Sequence, residues 1–183
     1  MSSFTRRTLL AAAGTLPALA FARKPAAAAP GVLDLSDRRP SSQGRPVPAF
    51  GFTLADGTAR TLADYAGQGV VLNLWATWCA PCVAEMPALD ELARKVGPER
   101  IAVLALSSDR GGAPVVERFY RERDIRSLSV LLDPRGEATR TLGARGLPTT
   151  FVIDRGGAER ARFEGAADWA NPGAIELIRR AVD

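Results

Sequence analysis

Histidine is absent from this chain, and only two of its 183 residues are cysteine. Without imidazole no His-ligated zinc or copper centre can be assembled. Two thiols also fall short of the four ligands that a closed structural zinc site takes, so no metal site is expected. The two cysteines stand together as Cys79-Ala80-Pro81-Cys82, followed by Val83, which excludes a c-type haem attachment sequence. The apolar stretch Leu9–Ala22 has 14 residues, short of the roughly 20 that a membrane-spanning helix needs. No internal repeat is visible, and no low-complexity tract beyond an alanine-rich start.

A basic stripe is missing too, although the net charge is +4. Residues 1–46 hold seven Lys/Arg against two Asp/Glu, whereas the remainder holds 17 against 18. The positive charge therefore sits in the N-terminal segment, and nucleic-acid binding has no electrostatic support.

That segment reads as an address. Thr5-Arg6-Arg7-Thr8-Leu9-Leu10 precedes the short apolar stretch, and small residues follow. Positive residues, a short apolar run and a small-residue cleavage site describe a secretory signal. The paired arginines resemble a twin-arginine signal, although Ala11 stands where that type usually has Lys. Residues 1–29 are expected to be an export signal cleaved after Ala22 or Ala28, placing the protein in the periplasm or another extracytoplasmic space. An uncleaved signal would be its only membrane contact. No Cys lies near either point, so a lipid-modified N-terminal Cys is excluded. Residues 30–46, rich in Pro, Gly, Ser and charge, read as a linker.

Residues 47–183 carry the pattern of one folded domain. Phe50–Leu54 and Ala59–Leu62 flank Asp56-Gly57, a two-residue hairpin signal. Val70–Trp75 is a nearly continuous apolar run, as in strands buried on both faces. Met86, Leu89, Leu92, Ala93 and Val96 recur at helical spacing until Gly97-Pro98, with Pro81 in the first turn where a missing N–H is tolerated. Strands are expected at Ile101–Leu106, Ser129–Leu132, Thr149–Asp154 and Ala158–Phe163. Helices are expected at Val115–Arg123, Glu137–Leu142 and Ala174–Val182, the last capped by Asn171. Alternating strands and helices imply parallel pairing, with an antiparallel hairpin near the end. The expected class is α/β: a central mixed sheet flanked by helices, with an N-terminal β-hairpin extension. Reactive groups in such sheets sit at the carboxyl ends of strands, where Cys79 follows.

A Cys-x-x-Cys between strand and helix can cycle between dithiol and disulfide. The helix N-terminus favours the thiolate of the first cysteine, which is the attacking species in exchange. A static structural disulfide is the alternative, but this pair closes almost no loop and would add little stability.

Val70–Pro87, containing Trp78-Cys79-Ala80-Pro81-Cys82, closely resembles the active-site segment of thioredoxin-like proteins of the exported TlpA/ResA type. Gly146-Leu147-Pro148-Thr149-Thr150 resembles that family's second signature. The resemblance covers roughly residues 47–183 and implies a thioredoxin-like fold. It implies Cys79 as the exposed nucleophile and Cys82 as the buried resolving thiol, with no cofactor beyond their redox-active disulfide. It implies a cis Pro148 beside the disulfide, and Leu147 presenting backbone groups to a client. Trp78 and Pro81 would shield the disulfide and contact clients, and Trp75 would pack in the core. Asn73 stands where thioredoxins carry a strand acid and cannot titrate. Glu85, one helical turn after Cys82, is expected to manage protons in its place; the competing expectation is a solvated helix glutamate. Ser107-Ser108-Asp109 ends a strand, where edging the site is one reading and a plain turn or cap is the expected one, and Pro87 is expected to kink its helix.

The implied function is disulfide reduction in client proteins, such as those of cytochrome c maturation or copper-centre assembly, with electrons from a membrane thiol donor. A monomer is expected. Two alternatives remain open at this level. One is a thiol peroxidase of peroxiredoxin type, whose Thr-containing cysteine environment is partly mimicked by Thr77-Trp78-Cys79. The other is a Cu(I) chaperone or non-catalytic binding module using the two soft thiolates, although the usual third His ligand is lacking.

Overall fold

The computed structural model describes residues 32–35 and 44–183. The expected export signal, its cleavage points and residues 30, 31 and 36–43 of the expected linker lie outside the described residues.

Among the described residues, eight strands and four α-helices follow in the order β1 (Arg45–Pro46), β2 (Gly51–Leu54), β3 (Ala59–Thr61), β4 (Gly69–Trp75), α1 (Ala80–Val96), β5 (Ile101–Ser107), α2 (Ala113–Glu122), β6 (Leu131–Leu132), α3 (Glu137–Thr141), β7 (Thr149–Ile153), β8 (Ala158–Glu164) and α4 (Pro172–Val182). All strands join one sheet in the order β1-β8-β7-β4-β5-β6-β2-β3. The β4–β5 and β5–β6 pairs are parallel, while β4–β7, β7–β8, β2–β6 and the β2–β3 hairpin are antiparallel. The sheet is thus mixed, and the hairpin extends its far edge.

Central β4 shows why the apolar run was so uninterrupted. Its seven residues are all buried, and successive side chains serve opposite faces. Val71 and Trp75 join a core with Met86, Leu89 and Leu92 of α1, Val116 and Phe119 of α2, and Leu177 and Ile178 of α4. Val70, Leu72 and Leu74 join a second core with Phe50, Phe52, and Ala138 and Leu142 at α3. Asn73 is the one polar residue of this strand, and its parity places it on the α1 side.

Two local features differ from the sequence expectation. The hairpin closes through Ala55–Gly57 rather than two residues, with the Leu54 N–H donating to the Thr58 carbonyl at 2.9 Å. Gly57 takes a positive φ (86°) but Asp56 does not, whereas the tightest hairpin turns need both central residues there. Part of the segment read as a linker also lies on the domain. Arg45–Pro46 pairs with Ala158–Glu159, Leu33 bridges Ala167 in parallel, and Leu35 is buried. These pairings join residues more than a hundred positions apart, beyond the reach of local composition.

Candidate active site

The carboxyl ends of β4 and β5 build the loop that presents the cysteines. After Trp75 the chain turns through Ala76–Cys79, closed by the Cys79 N–H donating to the Ala76 carbonyl at 3.1 Å. Asp109, just beyond β5, holds this loop from below. Its carboxylate accepts the Thr77 N–H at 2.9 Å, the Thr77 hydroxyl at 2.7 Å and the Ser107 hydroxyl at 2.8 Å. The residue expected to be a plain turn element therefore anchors the approach to Trp78 and Cys79.

Cys79 is the N-cap of α1, with Pro81 in the first turn. Its sulfur accepts the Cys82 N–H at 3.3 Å, and its carbonyl accepts the Val83 N–H at 3.0 Å. The positive end of the helix dipole is thus directed at this sulfur. Cys79 and Cys82 form a disulfide. Cys79 keeps 7% of its surface exposed and Cys82 none, so attack from outside reaches Cys79. Trp78 beside it is 70% exposed, the one large hydrophobic side chain left open among the described residues. Trp75 is wholly buried, its ring stacked on Tyr120 at 5.9 Å and tilted against Phe119 at 5.2 Å. α1 runs on through Pro87 to Val96.

The second signature arrives from β7. Antiparallel register sets Thr149 opposite Leu74, which brings Pro148 alongside Trp75 and the start of the cysteine loop. The Leu147–Pro148 bond is cis. The Pro148 carbonyl accepts the Gly165 N–H at 2.9 Å, and the Thr149 hydroxyl donates to the Gly146 carbonyl at 2.7 Å. Leu147 is half-buried and packs against both cores.

Behind the disulfide lies a buried polar cluster centred on Glu85. Cys82, Glu85, Met86, Leu89, Leu92 and Val96 form the inward stripe of α1, so Glu85 enters the interior by the same periodicity that buries the leucines. Only 3% of it is exposed. Asn73 donates from Nδ2 to Glu85 Oε1 at 2.8 Å and to the Thr150 hydroxyl at 2.9 Å; Thr150 sits directly opposite it in the β4–β7 register. Glu85 Oε2 accepts the Ala167 N–H and the Trp169 indole N–H, each at 2.9 Å. Burial pushes the Glu85 carboxyl up from an ordinary 4.5 to about 7, against the pull of the donors from Ala167, Trp169 and Asn73. Desolvation wins because no charged side chain contributes to the balance. Near neutral pH this group is therefore close to half-protonated, as a proton exchanger requires. Among the described residues, the buried Asn73 Oδ1 has no hydrogen-bond partner. In its ionised form Glu85 can only accept, and the Asn73 amide turns its NH2 toward it accordingly.

The structure gathers Cys79, Cys82, Glu85, Trp78, Pro81, Leu147 and Pro148 at one end of the sheet. Trp169 was not read as a site residue from the sequence, and Asp109 was weighed at the edge of the site but expected to be a plain turn or cap. Trp169 offered one signal: a tryptophan in an aperiodic segment, where packing or a polar contact must hold it. Among the described residues, no group of three or more His, Cys, Asp and Glu side chains is placed to hold a metal ion.

Comparison with known proteins agrees with this geometry. The profile of the AhpC/TSA family matches residues 43–160. The chain is 38% identical over 114 residues to the thiol-disulfide oxidoreductase ResA of Bacillus thuringiensis subsp. konkukian, covering 62% of this chain and 65% of that relative. It thus spans just under two thirds of that relative's length. To the ResA of Bacillus cereus strain ZK / E33L it is 34% identical over 122 residues, covering 67% of this chain and 69% of the relative. The crystal structure of the exposed lipoprotein thioredoxin Etrx1 of Streptococcus pneumoniae TIGR4 superposes with a TM-score of 0.61 at 29% identity, covering 72% of this chain and 98% of that one. With the profile spanning more than half of its length and the cysteine pair, cis-proline and sheet in place, the chain belongs to the AhpC/TSA family, as a thioredoxin-fold member of ResA type.

Proposed function

We propose that the protein is an extracytoplasmic thiol–disulfide oxidoreductase that reduces disulfides in client proteins. The observation that carries this reading is the Cys79–Cys82 pair at the N-terminus of α1, in which Cys79 keeps 7% of its surface exposed and Cys82 none. In the reduced protein, the Cys79 thiolate attacks a client disulfide. A Cys79–client mixed disulfide forms and one client thiolate leaves. Cys82 loses its proton and attacks the Cys79 sulfur, forming Cys79–Cys82 and releasing the second client thiolate. Two electrons pass from the dithiol to the client, and a thiol donor at the membrane restores the pair. Glu85, buried one turn from Cys82 and poised near neutrality, is the group that takes the Cys82 proton. Trp78, Pro81 and the Leu147–Pro148 segment form the rim on which a client rests. Clients in cytochrome c maturation or copper-centre assembly fit this chemistry. Export rests on the Arg6-Arg7 signal and its short apolar run. No helix among the described residues is long and apolar enough to cross a membrane.

Exchange is favoured over peroxide reduction by one detail: the Thr77 hydroxyl is committed to Asp109 rather than to Cys79. A Cu(I) chaperone of the usual kind would lack its third, His ligand, since the chain has no His. The test is reduction of a model protein disulfide by the dithiol form, run beside peroxide consumption with the same donor. Rapid disulfide reduction that is lost in Cys79→Ser supports the reading. Peroxide turnover outpacing disulfide reduction would replace it with the peroxidase.

A further inference from the structure

The loop between β8 and α4 bonds to two parts of the site. The Gly165 N–H donates to Pro148, and Ala167 and Trp169 donate to Glu85. Gly165 has φ +105°, a conformation that side-chain-bearing residues rarely adopt. What fixes this loop from its other side is the segment Val32–Leu35. The Leu33 N–H donates to the Ala166 carbonyl at 2.7 Å, and Leu33 bridges Ala167 in parallel. The Leu33 side chain lies over Gly165, within 3.9 Å of where a Cβ would stand. Leu35 is buried in the same core as Cys79, Cys82 and Trp169.

These contacts converge on one peptide group. The carbonyl of Ala166 and the N–H of Ala167 belong to a single planar unit and point in opposite directions. One end takes the Leu33 N–H and the other gives its N–H to Glu85 Oε2. A hydrogen bond to the carbonyl orients the plane and polarises its N–H, strengthening the bond on the far side.

We propose that the Val32–Leu35 segment is a positioning element of the active site, in which Leu33 clamps the Ala166–Ala167 peptide so that its N–H, together with the Trp169 indole, stays on Glu85. The segment read as linker is then a working part of the catalytic end, and detaching it would retune proton transfer at Cys82 without touching either cysteine. The inference rests on the reading of Glu85 as the proton-managing group. The ionisable neighbours of Glu85 are few. Cys79 and Cys82 precede it on α1 and are tied in the disulfide. β4 and β7 contribute the neutral Asn73 and Thr150. Asp168 lies between the two donors but is exposed and accepts from Ala170, and Asp34 on the clamp is exposed.

The test uses the full chain in its oxidised form and follows the Glu85 carboxyl carbon by NMR across pH, with Glu85→Gln assigning the signal. This readout needs no client and no turnover, so it fails or succeeds apart from the proposed activity. Trp169→Phe removes one donor and should raise the titration midpoint by about one pH unit. Leu33→Pro deletes the N–H of the clamp, together with the side chain that Leu33→Ala also removes, and should raise it in the same direction by a smaller amount. Leu33→Ala keeps that N–H and should leave it in place. Leu35→Ala, which loosens the seat of the segment while keeping every backbone group, should also raise it, and it decides the matter if Leu33→Pro does not fold. A wild-type midpoint in folded Leu33→Pro, or in Leu35→Ala, overturns the proposal; a lowered melting temperature with no change of midpoint counts as the same negative result.

Discussion

Replacing Glu85 with Gln should abolish a pH dependence of stability that the wild type carries. Glu85 titrates near 7 in the folded protein against an ordinary 4.5. Below pH 4.5 it is protonated in both states and contributes nothing relative to a neutral isostere. As pH rises, the unfolded chain releases the proton while the folded one retains it, so stability falls through the window from 4.5 to about 7 and levels off above it. At about 1.4 kcal/mol per pH unit, the separation amounts to roughly 3 kcal/mol. Gln fits the same space. Its carbonyl can take the Ala167 and Trp169 donors, and its NH2 can face Asn73, whose amide turns to offer the now unpartnered Oδ1. The assay is urea unfolding of both oxidised proteins at half-unit steps from pH 4.5 to 8. All other groups are common to the pair, so the difference between the two curves isolates Glu85. That difference should grow by roughly 3 kcal/mol across the window in favour of the variant. Parallel curves would refute the claim that burial outweighs the three donors.

Further outcomes follow from the loop and its rim. Asp109→Ala leaves the Thr77 N–H and hydroxyl without their partner and should lower stability by about 2–3 kcal/mol, with a matching fall in disulfide reduction; thermal melts and a turnover assay check both. Trp78→Ala, at an exposed site, should change stability by less than about 0.5 kcal/mol while raising KM for a protein disulfide several-fold; an equal fall in kcat alone would remove Trp78 from client contact. Asn171→Ala deletes the side chain that accepts the Gly173 N–H at the start of α4 and should lower stability by about 1 kcal/mol without altering the Glu85 midpoint.

Much of the domain was legible because its signals are local. The apolar run Val70–Trp75, the helical stripe from Met86 to Val96 and the Asn171 cap each declare themselves within a few residues. The cysteine motif and the Leu147-Pro148 signature are equally compact, and the family resemblance they carry, with the helical spacing from Cys82, is what pointed to Pro148 and Glu85. What stayed hidden lies in contacts between distant residues. Asp109 meets Thr77 across 32 positions, while Ala167 and Trp169 meet Glu85 across 82 and 84. No periodicity reports such pairings, and Asp109 in isolation has the composition of an ordinary turn. Leu33 and Leu35 sat in a stretch rich in Pro, Gly and charge, whose average masked two apolar residues at alternate positions. The asparagine in an otherwise apolar strand was the clearest local sign that a polar cluster lay behind the cysteines.

The central claim is that Cys79 attacks and Cys82 resolves. It is tested most directly by capture of mixed disulfides in the export compartment with two single variants. The account predicts that Cys82→Ser accumulates client proteins linked through Cys79, identifiable by mass spectrometry and released by reductant, and that Cys79→Ser accumulates none because Cys82 is sealed. Clients linked through Cys82 in Cys79→Ser, at a level matching those on Cys79, would contradict it.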